Sequence, residues 1–353
     1  MTKVKKGLIR FGKTMLPPII GILVGIIIGA LIIMIRGVNP IEAYAALVKG
    51  AFGGIRNFST SLVKAIPLGL TGLAVALSYR AGIFNIGAEG QLQFGAIATA
   101  VCCLYIPSIQ GKAVPTIIVV VIASMIAGAA LAWIPAVARA YGGYNEIVVT
   151  MLLNYIAIYF TNYLVNHPMK DPSAFGASTV RFDVEFPIIL PGSYLHLGFV
   201  FFIVAAIFLW WLLFKSSYGF KVRAAGLNPN ASNYAGINSK RIMITSMLIS
   251  GALAGLGGAC EVMGVHYRLM ENFSPGYGYD AIAVALLANL HPLGVILSAI
   301  FFGALRNGAA SMQVVTTLPV SFVKIIQGVS VLCVIAIGAF PAYIARMKRR
   351  AKK

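Results

Sequence analysis

The sequence predicts an all-α, polytopic membrane protein with about ten transmembrane helices. Apolar residues make up 59% of the 353 positions, charged residues make up only 10%, and the mean hydropathy is +0.88. Soluble globular chains carry about 25% charged residues, so this composition places the chain in lipid. Lipid offers no water to unpaired backbone groups, which leaves helices or a closed barrel, and apolar runs of about 20 residues favour helices.

The predicted spans follow the apolar runs along the chain. They lie at 16–35, 58–79, 88–106, 113–135, 146–166, 193–214, 242–263, 280–290, 293–310 and 320–342. The eighth run is too short to cross about 30 Å of hydrocarbon, so we interpret it as a half-helix. The amphipathic segment after the first run, 38–57, is expected at the outer surface.

Basic residues at the two ends of the chain predict its orientation. Five lysines and arginines lie in the first 13 residues, and six lie in the last eight. Positive charge marks the cytoplasmic side, so both termini are expected inside, which requires an even number of spans. Residues 1–353 then form a single transmembrane domain, with an extracytoplasmic loop at 167–192 and a cytoplasmic loop at 215–241.

The net charge of +19 raises the question of a nucleic-acid partner. Proteins that bind single-stranded nucleic acid combine basic residues with aromatic side chains on which bases stack. No such aromatic pattern accompanies the terminal lysines and arginines. Membrane lipid is therefore the expected partner of these charges, and nucleic acid is not.

The loop 215–241 has the local chemistry of a short helix. Asn228 can accept hydrogen bonds from the first free N–H groups, Pro229 suits the first helical position, and Gly236 can adopt the left-handed conformation that ends a helix. A helix of about seven residues is marginal alone, so it must pack against something. Two interpretations stay open: a connector on the chain's own inner surface, or a coupling helix that docks into a cytoplasmic motor protein.

The motif FNIGAEGQ, residues 84–91, places the carboxylate of Glu89 between two apolar runs. A charged side chain at the bilayer centre costs about 2.5–3.5 kcal/mol on insertion scales, so Glu89 needs a partner. The topology puts the motif near the inner membrane edge, where Arg80 is a plausible partner. Glu89 is interpreted either as part of a structural ion pair or helix cap, or as a substrate contact.

Other polar residues in or near the spans are candidates for the same two roles. In GYGYD (276–280), Asp280 is expected to cap the eighth helix or the tyrosines to line the outer mouth, and Asn154 to bridge two helices or contact a ligand. Gly251, Gly255, Gly257 and Gly258 are expected to allow close helix packing. The candidates for the translocation pathway or a structural motif are Phe84, Asn85, Glu89, Gln91, Asn154, Tyr277 and Asp280.

Four motifs together resemble one family of transport proteins. FNIGAEGQ, RAAGLNPNASNYAGI, SGALAGLGGA and GYGYDAIAVALLANLHPLG occur in this order. The chain resembles a permease subunit of bacterial ATP-binding cassette (ABC) importers, in the group that includes ribose and other sugar, branched-chain amino acid and nucleoside permeases. It is most similar to the larger permease of nucleoside importers that work with a lipoprotein of the basic membrane protein type.

This resemblance implies a subunit of a larger assembly in the bacterial cytoplasmic membrane. The implied partners are a second permease, which would form a heterodimer or, with a second copy, a homodimer, together with cytoplasmic ABC ATPases and an extracytoplasmic substrate-binding lipoprotein. The chain carries no GxxxxGK[ST] phosphate loop, so it is expected to bind no cofactor and to leave ATP to its partners. The residues expected to couple to the ATPase are Gly226, Asn228, Pro229, Ala231, Tyr234, Ala235 and Gly236.

The expected function is therefore nucleoside translocation, by a subunit that is not itself an enzyme. A sugar or branched-chain amino acid permease of the same group is the first alternative. An ion-coupled secondary transporter is the alternative from another class. It would need paired intramembrane charges, for which only Glu89 and Glu261 qualify.

Overall fold

A computed structural model describes residues 20, 23–108, 110–316, 319, 321–329 and 331–333 of the chain. The regular structure of this part is helical, apart from two isolated β-bridges, which confirms the all-α class. The helices are α1 (Leu23–Ile35), α2 (Pro40–Phe52), α3 (Ile55–Arg80), α4 (Ala88–Tyr105), α5 (Ala113–Gly142), α6 (Glu146–Asn166), α7 (Gly198–Lys215), α8 (Ser217–Leu227), α9 (Pro229–Tyr234), α10 (Ser239–Glu261), α11 (Tyr277–Leu287), α12 (Pro292–Thr316) and α13 (Ser321–Cys333).

Among the described residues, six helices are long and apolar enough to cross a membrane: α3, α5, α6, α7, α10 with its extension, and α12. Three others are apolar but shorter: α1, α11 and α13. The helix α4 is not among the six, because its first turns carry Glu89, Gln91 and Gln93. The chain is thus an integral membrane protein, while the number of ten spans stays a prediction. The start of the first predicted span and the end of the last lie outside the described residues.

Two helices of the bundle end irregularly. The predicted half-helix is the 11-residue α11, whose length is about 16 Å at 1.5 Å per residue. It ends at Leu287 and is followed by Asn289 and Leu290, both in the left-handed region with φ of 51° and 55°. The helix α10 continues into a π-helical segment, Val262–His266, after which Tyr267 has a φ of 59°. The backbone therefore leaves regular helical geometry at both places.

The centre of the bundle is formed by α3 and α10. In an apolar stretch of 18 residues taken from each helix, 89% of the residues are buried in α3 and 67% in α10. The corresponding shares are 28% in α5 and 22% in α6. The large apolar side chains that α5 and α6 leave exposed suit contact with lipid. The polar residues discussed below lie on the central helices or contact them.

Glycines allow α10 to approach its neighbours closely. A Cβ atom on Gly255 would lie 2.1 Å from the carbonyl oxygen of Ser124 on α5, and one on Gly258 would lie 2.0 Å from that of Leu92 on α4. Gly257 differs, since its nearest neighbour would be 3.5 Å away. The predicted close packing of this helix face is confirmed at Gly255 and Gly258, as it is at Gly251, and Gly257 is the exception.

Candidate functional site

The motif 84–91 consists of a non-helical segment, 84–87, and the first turn of α4, which begins at Ala88. The N–H of Phe84 donates to Oε1 of Glu146 at the start of α6, at 3.4 Å. The N–H of Gly90 donates to Oδ1 of Asn154 at 2.8 Å. Asn154 lies eight residues beyond Glu146, which is about 12 Å along the helix. Gly90 therefore contacts α6 about two turns beyond the start of that helix, and the position of the motif near the inner membrane edge stays a prediction.

Hydrogen bonds join Asn85, in the non-helical segment 84–87, to Gln91 in the first turn of α4. The amide nitrogen of Asn85 donates to Oε1 of Gln91 and to Oγ of Ser250, each at 2.9 Å. Its oxygen accepts from the Gly87 N–H at 2.9 Å and from the Gln91 amide at 3.1 Å. Both amide side chains are buried, and their hydrogen bonds are made within the chain. They act here as a structural motif.

The carboxylate of Glu89 caps α11 from a neighbouring helix. Only 1% of Glu89 is exposed, and its Oε2 accepts a hydrogen bond from the Gly278 N–H at 2.7 Å. Because Gly278 lies in the first turn of α11, the bond satisfies one of the free N–H groups of that helix. The predicted partner Arg80 is wrong: its guanidinium donates to the carbonyl oxygen of Leu290 at 2.7 Å. The geometry supports the helix-cap interpretation of Glu89.

Asn154 joins the same elements from α6. Its oxygen accepts from Gly90, and its amide nitrogen donates to the carbonyl oxygen of Ile86 at 2.9 Å and to the hydroxyl of Tyr279 at 3.3 Å. The side chain is fully buried. This arrangement matches an interhelical bridge, the first of its two interpretations.

Asp280 has a role other than the predicted cap. The N-cap of α11 is Gly276, which has no side chain to cap the helix. Oδ2 of Asp280 instead pairs with Nη2 of Arg306 on α12 at 3.1 Å, and the Arg306 guanidinium lies 4.6 Å from the centre of the Tyr277 ring. The prediction of a cap at Asp280 is wrong, because its carboxylate forms an ion pair with Arg306 on α12.

A cavity of about 420 Å³ opens beside Tyr277. It lies between α3, the π-helical end of α10 and the start of α11. Its lining residues are Thr60, Val63, Lys64, Tyr194, Glu261, Gly264, Val265, His266, Tyr267 and Tyr277. Tyr277 donates its hydroxyl hydrogen to Oε1 of Glu261 at 3.0 Å, and Nε2 of His266 lies 3.4 Å from the same oxygen. The cavity thus groups polar side chains inside a largely apolar bundle.

Only some of the residues that line this cavity could be singled out from the sequence. Tyr277 and Glu261 were named as candidate polar residues, whereas Lys64, His266 and Tyr267 were not. One signal was available, since Lys64 is a lysine inside the predicted span 58–79. The position of His266 depends on the π-helical turn, for which the sequence holds no clear pattern.

The loop 215–241 forms the predicted short helix. The side chain of Asn228 accepts from the Ala231 N–H at 3.0 Å, Pro229 begins the six-residue α9, and Gly236 has a φ of 78°. Leu227 is 88% exposed and Tyr234 is 95% exposed, while Ser232 is the one buried residue of α9. The helix signals are confirmed. Val222, Ala225 and Ser232 of this loop are buried against the chain, whereas Leu227 and Tyr234 are exposed. Both interpretations of the loop, a connector and a coupling helix, therefore stay open.

A polar cavity inside a helical membrane bundle, with a short exposed helix in one loop, is typical of membrane transport proteins. Comparison with known families gives the narrower assignment. The chain belongs to the family described as the permease component of branched-chain amino acid transport systems, whose profile matches residues 57–335. Members of this family are membrane permease subunits and not enzymes.

Several characterised proteins are similar along most of the chain. The guanosine ABC transporter permease protein NupP of Bacillus subtilis is 35% identical, over 95% of this chain and 97% of its own length. The nucleoside ABC transporter permease protein NupB of Lactococcus lactis is 34% identical, over 85% of both chains. A glucose ABC transporter permease of Haloferax volcanii is 32% identical, over 92% of this chain and 88% of its own. No solved structure matches the chain.

Proposed function

We propose that this chain is the permease subunit through which an ABC importer moves nucleosides across a bacterial cytoplasmic membrane. The names of two relatives that match most of the chain, NupP and NupB, support this substrate. The glucose permease relative supports a sugar as the second candidate. The greater similarity to the nucleoside permeases favours the first.

The observation that carries the coupling part of the proposal is the exposure of α9. A helix of six residues is marginal on its own, because nucleation costs more than so few hydrogen bonds return. The exposed side chains of Tyr234 on α9 and of Leu227, the last residue of α8, favour a groove on another protein as the packing partner of α9. We assign that groove to a cytoplasmic ATPase, whose closure on ATP would move α9 and the bundle attached to it. The residues of the coupling surface are Gly226, Asn228, Pro229, Ala231, Tyr234, Ala235 and Gly236.

The proposed topology has ten spans, both termini in the cytoplasm, and loops 167–192 and 215–241 on opposite sides of the membrane. Residues of the first loop pack at the far end of α10: the N–H of Phe186 donates to the carbonyl oxygen of Met263 at 3.2 Å. The second loop leads into the opposite end of α10, which begins at Ser239. The apolar helix from Ser239 to His266 has 28 residues, or about 42 Å, which is more than a hydrocarbon core is thick. This separation supports opposite sides.

The remaining partners follow from this arrangement. A lipoprotein would deliver the nucleoside at the outer side, near loop 167–192. A second permease would complete the pathway, as a heterodimer. The chain itself would hold no cofactor, and the direction of transport would come from ATP hydrolysis in its partners.

Reconstitution in lipid vesicles tests the proposed function. The chain with a second permease, the ATPases and the lipoprotein should take up guanosine only when ATP is supplied. The chain alone, under a proton or sodium gradient, should take up none. Gradient-driven uptake by the chain alone would show a secondary transporter and overturn the proposal.

The coupling surface is tested by a pair of tyrosine variants. Tyr234→Ala should abolish both co-purification of the ATPase and uptake, while leaving membrane insertion intact. Tyr159→Ala, at a tyrosine of α6 that is 69% exposed and suited to lipid contact, is the matched control and should keep both. Retained co-purification in Tyr234→Ala would contradict the assignment of α9.

A further inference from the structure

The cavity beside Tyr277 has the features of a small-molecule site. Its volume of about 420 Å³ lies within the range of roughly 300–1,000 Å³ typical of ligand pockets. Glu261 is only 4% exposed, whereas Tyr194, at the other end of the lining, is 58% exposed. The cavity therefore runs from an open mouth to a carboxylate in the interior.

Two polar groups in this cavity have spare hydrogen-bonding capacity. Oε1 of Glu261 accepts from Tyr277, but Oε2 receives no hydrogen bond from the described part of the chain. Nζ of Lys64, a half-buried residue of α3, makes no hydrogen bond or ion pair within that same part. A buried polar group without a partner costs stability, so groups left unpaired toward a cavity mark a place where a ligand completes them.

The local backbone supports a built site. The π-helical turn at Val262–His266 follows Glu261 directly, and Tyr267 after it is held in the left-handed region at a φ of 59°. Irregular turns of this kind and non-glycine residues with positive φ occur frequently at functional sites. Here they bring His266 and Tyr267 to the same cavity wall as Glu261.

The chemistry of the lining indicates the class of ligand. Lys64 and Glu261 carry opposite formal charges, which suits a ligand without net charge. The rings of Tyr194, Tyr267 and Tyr277 offer apolar faces with polar edges, which suit an aromatic base. Carboxylate oxygen accepts hydrogen bonds from hydroxyl groups, which suits a ribose.

We propose that this cavity is a translocation subsite for nucleosides, in which Glu261 accepts from the ribose hydroxyls and Lys64 donates to the ligand. This inference rests on the proposed function. It adds the location of a nucleoside-binding site and the side chains that bind the nucleoside there. A free sugar shares the hydroxyl chemistry but lacks the aromatic base. The test therefore includes both.

The test uses the complete importer in lipid vesicles, with its lipoprotein loaded with either guanosine or 2′,3′-dideoxyguanosine. In Glu261→Gln the amide oxygen can keep the bond to Tyr277, which turns the NH₂ group toward the cavity. The preference for guanosine over the dideoxy analogue should then fall about tenfold, because a site that hydrogen-bonds hydroxyls rejects ligands lacking them. The exposed Glu271→Gln is the matched control and should keep the wild-type preference.

Lys64→Met is the second variant, since it removes no hydrogen bond among the described residues and is expected to fold. It should slow guanosine uptake about tenfold. Wild-type uptake and wild-type preference in both variants would overturn the subsite.

The two proposals fail in different ways. A wild-type importer that takes up ribose or glucose but no guanosine would overturn the nucleoside function. The two variants are then measured on that sugar. Slowed sugar uptake would keep the cavity as a subsite for hydroxylated ligands, and unchanged uptake would overturn it.

Discussion

Glu89 and Gly278 join the beginnings of two helices that are 189 residues apart in the sequence. Oε2 of Glu89 lies 2.7 Å from the backbone nitrogen of Gly278, and both groups are buried. A Cβ atom on Gly278 would lie 2.2 Å from the backbone nitrogen of Glu89, so the contact also requires glycine. The acidic motif thereby fixes where the half-helix α11 starts, next to the proposed subsite.

Removing this cap should destabilise the bundle. Glu89→Ala leaves the buried N–H of Gly278 without an acceptor, which should lower the free energy of unfolding by about 1–3 kcal/mol. Glu89→Gln keeps an acceptor oxygen and should recover most of the loss. Thermal unfolding in detergent measures both. The exposed Glu271→Ala should be neutral, and an equally neutral Glu89→Ala would contradict the cap.

The glycines of α10 allow a comparison within one helix. Gly255→Ala would place a methyl group 2.1 Å from the carbonyl oxygen of Ser124, so the helices must separate, and we expect a loss of about 1–3 kcal/mol in stability. Gly257→Ala would meet only ordinary contacts at 3.5 Å or more and should be tolerated. Thermal unfolding of the two variants checks this order. Equal midpoints would contradict the close approach of α5 and α10.

The cap of α9 predicts a graded effect on coupling. Asn228→Ala removes the acceptor for the Ala231 N–H and should destabilise the helix by about 1 kcal/mol, whereas Asn228→Asp keeps an acceptor. Co-purification of the ATPase and uptake should therefore fall in the alanine variant and remain in the aspartate variant. The exposed Asn230→Ala is the control for a neutral change in the same helix. Full coupling in Asn228→Ala would show that the cap is dispensable.

Several features of the fold could be predicted from the sequence, because they depend on local chemistry. The apolar runs predicted most of the long helices. Asn228, Pro229 and Gly236 predicted where α9 begins and where it ends. The half-helix α11 followed from a run too short to cross the membrane. The predictions for Arg80 and Asp280 were wrong, because each side chain forms its hydrogen bond or ion pair with a residue distant in the sequence.

The sequence by itself determined the helical membrane class and the short helix of the loop 215–241, because lipid and helix caps act on neighbouring residues. Only the tertiary structure decided what FNIGAEGQ does and where the cavity lies. A hydrogen bond between Glu89 and Gly278, or a cavity shared by Lys64 and Glu261, depends on how three helices pack. The free energy of such packing belongs to pairs of residues far apart in the chain, which no local pattern records.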